Sequence, residues 1–93
     1  MLIFKKVEID KMRYIAFMYK EDDDYVAVVP DLGFTSSYGE TFEHAFEMIK
    51  EAAELYCDDL KTLPKASTLE ELMQRDDLDL EPNSIPQHID IKI

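Results

Sequence analysis

The chain has 93 residues, of which 46% are hydrophobic and 11% aromatic, enough for one domain with one core over residues 1–93. Its one cysteine, Cys57, excludes an internal disulfide framework and a zinc-thiolate site, and is consistent with a cytoplasmic protein. The N-terminal residues carry charges where a signal peptide is apolar, and no run reaches the roughly 18 apolar residues of a membrane span. No contact with a membrane is therefore expected.

The net charge of −11 is concentrated after position 20. Residues 1–20 hold five basic and two acidic side chains, net +3, so residues 21–93 carry −14. Such a surface repels phosphate backbones and attracts basic proteins, so a basic protein partner is expected and nucleic-acid binding by this chain alone is not. The alternative interpretation is that the charge serves solubility only.

Several strands are predicted in the first 40 residues. Leu2–Ile9 has a β-rich composition, and Arg13–Lys20 alternates while remaining apolar on both faces, which indicates a strand in the interior of a sheet. Tyr25–Val29 is a β-branched and aromatic run that is typical of a central strand, and Pro30 ends it. Phe34–Tyr38 is then a short strand that forms a hairpin with Tyr25–Val29.

Four carboxylates, from Glu21 to Asp24, connect two of these strands as a short hairpin loop. Magnesium and calcium take oxygen ligands, so a metal site is one interpretation of this run. Adjacent carboxylates lack the alternating spacing and the glycine of an EF-hand loop, which favours a solvated turn. We therefore expect no metal and no cofactor.

The clearest element is a helix of about five turns that starts at Phe42. Thr41 precedes it as an N-cap, and Gly39 permits a sharp turn from strand to helix. The opposite side of the helix is charged, which predicts a helix packed on one face of the sheet. The apolar stripe comprises Phe42, Ala45, Phe46, Ile49, Ala52, Ala53, Tyr56 and Leu60.

The remaining residues predict a short helix, a loop and a last strand. Ser67 and Glu70 have the spacing of a capping box, which predicts a helix that ends near Gln74 or Arg75. Asp76–Pro86 is acidic and contains two prolines, which predicts an exposed loop. The last strand is Gln87–Ile93, whose alternation puts three isoleucines on one side: Ile89, Ile91 and Ile93.

The order and spacing of these motifs resemble the HicB antitoxins and their HicB-like relatives over about residues 14–72. Residues 25–34 are similar to a family strand that ends in Pro-Asp-Leu-Pro-Gly-Cys, although the second proline is missing and Phe34 replaces the cysteine. Residues 39–45 are similar to the Gly-Asp/Glu-Thr turn and the helix after it, and residues 63–67 to a Leu-Pro-x-Pro-Ser segment. The matching motif residues are Pro30, Asp31, Gly33, Gly39, Thr41, Glu43, Ala45, Glu51 and Ala52.

The resemblance implies an α+β fold, namely a partial ribonuclease-H-like fold. Antiparallel strands precede a long helix packed on one sheet face, and a short second helix and a final strand follow. It also implies an antitoxin that binds a small basic HicA-like ribonuclease toxin and masks its RNA-binding surface. Many such antitoxins continue into a DNA-binding domain, but only 18 residues follow Arg75, so no such domain is expected in this sequence.

No enzyme activity is expected. A two-metal nuclease needs three or four carboxylates that converge from strand interiors and a helix, and residues 13–20 and 25–29 contain no Asp or Glu. Cys57 follows the apolar stripe near the helix C-terminus, where the helix dipole raises the pKa of a thiol. His44 and His88 have no ligand neighbours at a metal-binding spacing.

The strand aromatics lack the interleaved basic residues of a nucleic-acid platform, which favours core and protein-interface roles.

The partner surface is predicted at the acidic loop and the following turn, and its residues are Asp22, Asp23, Asp24, Asp31, Phe34 and Tyr38. The chain is expected to assemble as a homodimer or tetramer. The alternative function is a stand-alone HicB-like homo-oligomeric binding module without a toxin. In that alternative, the strand that carries Ile89, Ile91 and Ile93 pairs edge to edge with a second copy.

Overall fold

The structure is a computed structural model that describes residues 11–92, so the predicted strand Leu2–Ile9 and the side chain of Ile93 lie outside the described residues. Four antiparallel strands form one sheet in the order β3-β2-β1-β4. The elements are β1 (Lys11–Glu21), β2 (Asp24–Val29), a 3-10 turn (Pro30–Leu32), β3 (Thr35–Gly39), α1 (Phe42–Asp58), α2 (Leu69–Met73) and β4 (Ile85–Lys92). The α+β arrangement is as predicted, and its ribonuclease-H-like description stays a prediction.

β1 lies inside the sheet and presents apolar side chains to both of its faces. Tyr14, Ala16 and Met18 point to one face, Ile15 and Phe17 point to the other, and all five are at most 5% exposed. β2 is also interior, since it pairs with both β1 and β3. The interior positions predicted for these two strands are therefore confirmed.

Helix α1 covers one face of the sheet. Its N-cap is Thr41, whose hydroxyl oxygen accepts a hydrogen bond from the backbone N–H of His44 at 3.0 Å, as predicted. Gly39 is required because a Cβ at this position would lie 2.5 Å from the backbone nitrogen of Ala45. The helix and the sheet share one core, whose buried members include Tyr14, Met18, Ala27, Val29, Ala45, Ile49, Ala53, Cys57, Ile89 and Ile91.

The prediction of the apolar stripe was wrong at the C-terminal end of the helix. The helix ends at Asp58, before Leu60, and Tyr56 is 37% exposed while Cys57 is buried. The buried line of α1 advances in steps of four, from Ala45 to Cys57, because residues four apart lie above one another on a helix. Cys57 is therefore a core residue that continues this line.

The second face of the sheet is covered by α2 and by part of the acidic segment after it. Leu72 is fully buried against Ile15 and Phe17, and Leu78 and Leu80 pack on the same cluster. The prediction of an exposed loop over Asp76–Pro86 was thus wrong for these leucines, because the apolar second face of β1 needs a cover.

β4 begins two residues earlier than predicted, at Ile85, and includes Pro86. Pro86 pairs with Phe17 of β1. A proline is tolerated here because β4 is an edge strand, so the missing N–H does not interrupt a ladder on its outer side.

The capping box of α2 lies one residue later than predicted. Thr68 Oγ1 accepts a hydrogen bond from the N–H of Glu71 at 3.1 Å, and Glu71 Oε1 accepts one from the N–H of Thr68 at 2.9 Å. Ser67 does not cap the helix because its N–H and its hydroxyl both donate to the carboxylate of Asp31, at 2.6 and 3.0 Å. That carboxylate comes from the 3-10 turn, 36 residues earlier.

Asp31 therefore fixes the position of α2 over the second face. Its side chain is 8% exposed, and in addition to Ser67 it meets the guanidinium of Arg75 at 3.6 Å. Ser67 precedes α2 and Arg75 follows it, so one carboxylate holds both ends of the short helix.

Truncation of Leu72 tests whether α2 is a structural cover. Leu72→Ala removes a fully buried side chain, and we expect the free energy of unfolding to fall by about 3 kcal/mol in urea titrations. Leu69→Ala makes the same chemical change in the same helix at a position that is 40% exposed, and we expect about 0.5 kcal/mol there. Equal losses would contradict a core role for α2.

Removal of the Asp31 carboxylate tests its role at both ends of α2. Asp31→Ala leaves the Ser67 N–H and hydroxyl without their acceptor, and we expect a loss of about 2 kcal/mol in the free energy of unfolding. Asp79→Ala, at an exposed position, removes the same charge and is the control. If both variants unfold at the same urea concentration, Asp31 does not anchor the helix.

Candidate functional site

The cover on the second sheet face is incomplete and leaves an open groove beside β3. Two cavities of about 410 and 300 Å³ share Val26 and Ser36 and together form this sheet groove. Its apolar side chains come from four separate segments. They are Tyr19 of β1, Val26 and Val28 of β2, Phe34 just before β3 and Tyr38 within it, and Leu78 and Leu80 of the segment after α2.

Carboxylates line the sheet groove at both of its ends. Glu21, Asp22 and Asp24 of the β1-β2 hairpin line the larger cavity. Asp79 and Glu81 line the smaller one, in the segment that covers part of the second face. A groove with an apolar floor and acidic ends favours a ligand that carries both apolar surface and positive charge.

The acidic hairpin is as short as predicted. Glu21 and Asp24 form the last pair of the β1-β2 ladder, so Asp22 and Asp23 alone make the turn. Asp22 has φ 57°, a left-handed conformation that aspartate tolerates better than most residues. The two turn carboxylates are exposed to solvent.

Acidic side chains at both ends of the sheet groove affect the pKa of Tyr19. Its partial burial is the largest cause that raises the pKa of its hydroxyl, and Glu21 and Glu81 raise the pKa further. These two carboxylates come from opposite ends of the groove, so their negative potentials add at its floor.

Phe34 stands at the entrance to β3 in an unusual backbone conformation. Its φ is 59°, directly after Gly33 with φ 66°, so two consecutive residues are left-handed. This conformation is costly for a bulky aromatic residue, and such strain is concentrated at functional sites. The ring is 42% exposed, and the guanidinium of Arg75 lies over it at 5.5 Å.

Gly33 has a left-handed backbone conformation and lies close to Tyr56. A Cβ at this position would lie 2.7 Å from the hydroxyl oxygen of Tyr56, and its positive φ strains any other residue. The glycine of the predicted motif therefore lets the turn pass close to the exposed end of α1.

The structure brings most of the predicted partner residues together. Asp22, Asp24 and Tyr38 line one cavity and Phe34 the other, while Asp23 is exposed on the adjoining turn. Asp31 lies apart from them, because its carboxylate is buried among partners within the chain.

Sequence reasoning missed the remaining groove residues. Tyr19 was predicted only in general, as a strand aromatic with a core or interface role. Val26 and Ser36 were assigned to strands without a role, and Asp79 and Glu81 to an exposed loop. The alternation Leu78-Asp79-Leu80-Glu81 is the signal that indicates a half-buried segment there.

Residues 11–92 contain no arrangement of side chains suited to a metal site or a reactive cysteine. No group of three or more His, Cys, Asp or Glu side chains in this range is arranged to hold a metal ion. Burial, followed by the charge of Asp58, raises the pKa of the Cys57 thiol, which makes it a poor nucleophile. Within the same range, no helix has the length and the apolar character needed to span a bilayer.

The edge of β4 is partly occupied within the chain. Ile89 and Ile91 are fully buried and face α1. The backbone N–H of Lys92 donates to the carboxylate of Glu54 at 3.0 Å, and Pro86 has no N–H to offer. Ile89 and Ile91 of the predicted oligomer strand thus contribute to the core of this chain.

Two solved structures have the same fold. The N-terminal domain of the Burkholderia pseudomallei antitoxin HicB matches with a TM-score of 0.72 and 22% sequence identity, over 88% of this chain and 100% of that one. The Burkholderia pseudomallei antitoxin HicB matches with a TM-score of 0.66 and 23% identity, over 84% of this chain and 61% of that one. The chain therefore spans less than two thirds of the second structure.

Comparison at the sequence level gives the family. No curated protein sequence matches this chain. The model of a family described as the HicB-like antitoxin of a bacterial toxin-antitoxin system matches residues 14–92. That match extends over most of the sequence and confirms the resemblance derived from the motifs. This chain belongs to the HicB-like antitoxin family.

Proposed function

We propose that this chain is the antitoxin of a type II toxin–antitoxin pair. It binds a small basic HicA-like ribonuclease toxin and masks the surface with which that toxin holds RNA. It acts in the cytoplasm as a binding protein, without catalysis and without a cofactor. Family membership supports an antitoxin role in general. The acidic ends and apolar floor of the sheet groove support the chemistry of the partner.

The charge of the groove suits a protein that binds RNA. Such a protein holds phosphates with Lys and Arg side chains, and the same side chains pair with carboxylates. Glu21, Asp22 and Asp24 offer carboxylates at one end of the groove, and Asp79 and Glu81 offer them at the other. The net charge of −11 also accelerates the encounter with a basic partner.

The aromatic residues beside the groove supply anchors for the same interface. Tyr38 is 68% exposed and Phe34 is 42% exposed, although both are large enough to stabilise a core. Aromatic side chains are enriched in protein interfaces, where they bury a large area at a small cost in conformational entropy. The positive φ of Phe34 adds support, because strained backbone conformations are concentrated at functional sites.

The alternative, a homodimer or tetramer without a toxin that assembles through β4, has less support. The outer edge of β4 offers fewer backbone donors to a second copy, because Pro86 has no N–H and the N–H of Lys92 already donates to Glu54. Its isoleucines Ile89 and Ile91 are already packed beneath α1.

The first experiment is capture of the partner. Tagged chain is recovered from extracts of its own cells at low and high salt, and the proteins that accompany it are identified by mass spectrometry. We expect a small basic protein that cleaves RNA when alone and does not cleave it in the complex. Recovery of the bait alone, at the mass of a dimer or tetramer, would favour the module without a toxin.

Charge changes then test the contact surface. Asp22→Asn with Asp24→Lys raises the charge by three, and asparagine tolerates the left-handed backbone at position 22. We expect affinity for the captured toxin to fall by about 30-fold, mainly through slower association, in surface plasmon resonance at low salt. Phe34→Ala should weaken binding by about tenfold through faster dissociation.

The control is Asp58→Asn with Asp59→Lys, which makes the same change in charge at the C-terminal end of α1. We expect its affinity to stay within about twofold of the unchanged chain. If the two charge variants lose affinity equally, the net charge of the protein drives binding and the groove is not the contact.

A further inference from the structure

The two edges of the sheet differ in how far they are protected. At β4, Pro86 lacks an N–H and the N–H of Lys92 is bound by Glu54. At β3, within the part of the chain that the structure describes, the backbone hydrogen bonds of the strand go to β2 alone. An edge with unpaired N–H and C=O groups is a template for another strand. Among the strands of residues 11–92, β3 is therefore the edge that is open to a partner.

The side chains of β3 leave the sheet groove accessible from that edge. Ser36 and Tyr38 pair with Val28 and Val26 of β2, so these four residues share the groove face. Ser36 lines both cavities. Because its side chain is small, the groove stays open toward the β3 edge. A long side chain on an added strand would cross above Ser36 and enter the groove.

Charge decides which side chain fits there. A residue directly opposite Ser36 on an added strand has its Cβ about 5 Å away. A Lys or Arg at this position reaches the larger cavity, where Glu21, Asp22 and Asp24 supply carboxylates. The exposed ring of Tyr38 lies on the same face and offers its π surface to the cation.

A second copy of this chain is a poor occupant. Its β3 strand has the sequence Thr-Ser-Ser-Tyr-Gly, with no basic residue to place opposite Ser36. Pairing two β3 edges would also join two chains of net charge −11, each with an acidic hairpin next to the edge. The complementary occupant is a basic strand from a different protein.

We propose that the partner adds an extended basic segment to the open edge of β3 as a fifth strand, with a Lys or Arg opposite Ser36 that reaches into the sheet groove. This inference rests on the proposed function, since it names how the basic partner is held. Backbone hydrogen bonds to β3 supply affinity, and the carboxylates select a cation at alternate positions.

A synthetic strand tests the proposal without the toxin. The probe is an eight-residue peptide of alternating Lys and Val, and its control has the same sequence with alternate backbone nitrogens methylated, which removes the donors of one edge. Amide hydrogen exchange of the full chain is followed by NMR. We expect the Lys-Val peptide to slow exchange of the outward-facing amides of β3 by about tenfold, and the methylated peptide to leave it unchanged. Peptide binding without slower exchange in residues 35–39, or no binding, would overturn the proposal.

Ser36→Lys provides the matching change in the protein, because it puts a cation where the cation of the partner belongs. We expect this variant to bind the peptide about tenfold more weakly, and the control Thr62→Lys, at an exposed position between the helices, to bind as before. Equal affinities of the two variants would contradict the proposed position of the cation. A dimer of the unchanged chain that Ser36→Lys dissociates, seen by sedimentation, would assign the edge to a second copy and overturn the proposal.

The two proposals fail separately. If the captured toxin is neutralised but leaves exchange at β3 unchanged, the chain is an antitoxin and the added strand is wrong. If no toxin is captured while the peptide still protects β3, the edge is a binding site and the antitoxin function is wrong.

Discussion

The architecture depends on β1, a strand that cannot be exposed on either side. Its buried residues alternate between the two faces of the sheet, so folding requires two separate covers. The 17 residues of α1 cover one face, whereas the other receives a helix of five residues and two leucines from an acidic segment. The second cover is smaller than the face it protects. The groove is the part of the sheet that remains open.

Polar contacts hold the smaller cover in place and join it to the rim of the groove. Arg75 is central to them, because its guanidinium meets Asp31 at 3.6 Å and Asp77 at 2.7 Å and also lies over the ring of Phe34. One side chain thus contacts the buried anchor of α2, the acidic segment and the aromatic edge of the candidate site. Arg75 therefore links the position of α2 to the surface that we propose for the partner.

Local patterns in the sequence were enough for the interior strands, the start of α1 and the N-cap Thr41, because each depends on residues close in sequence. The capping box was misplaced by one residue because Ser67 donates to a carboxylate 36 positions away, which no local pattern reports. The burial of Leu78 and Leu80 was missed although they alternate with acidic residues, because the sheet face that they cover belongs to β1, far earlier in the chain. The acidic hairpin was foreseen as a surface, but the groove beside it assembles from four separated segments.

The backbone at Phe34 has a consequence for engineering. A left-handed residue with an exposed aromatic ring is a position where glycine relieves strain, and where a library selected only for thermal stability would accumulate glycine. The winners of such a selection would fold better while losing a candidate anchor for the partner. Stability and the proposed recognition of the partner compete at this one residue, so variants from this family that are stabilised for practical use need to be screened for both properties together.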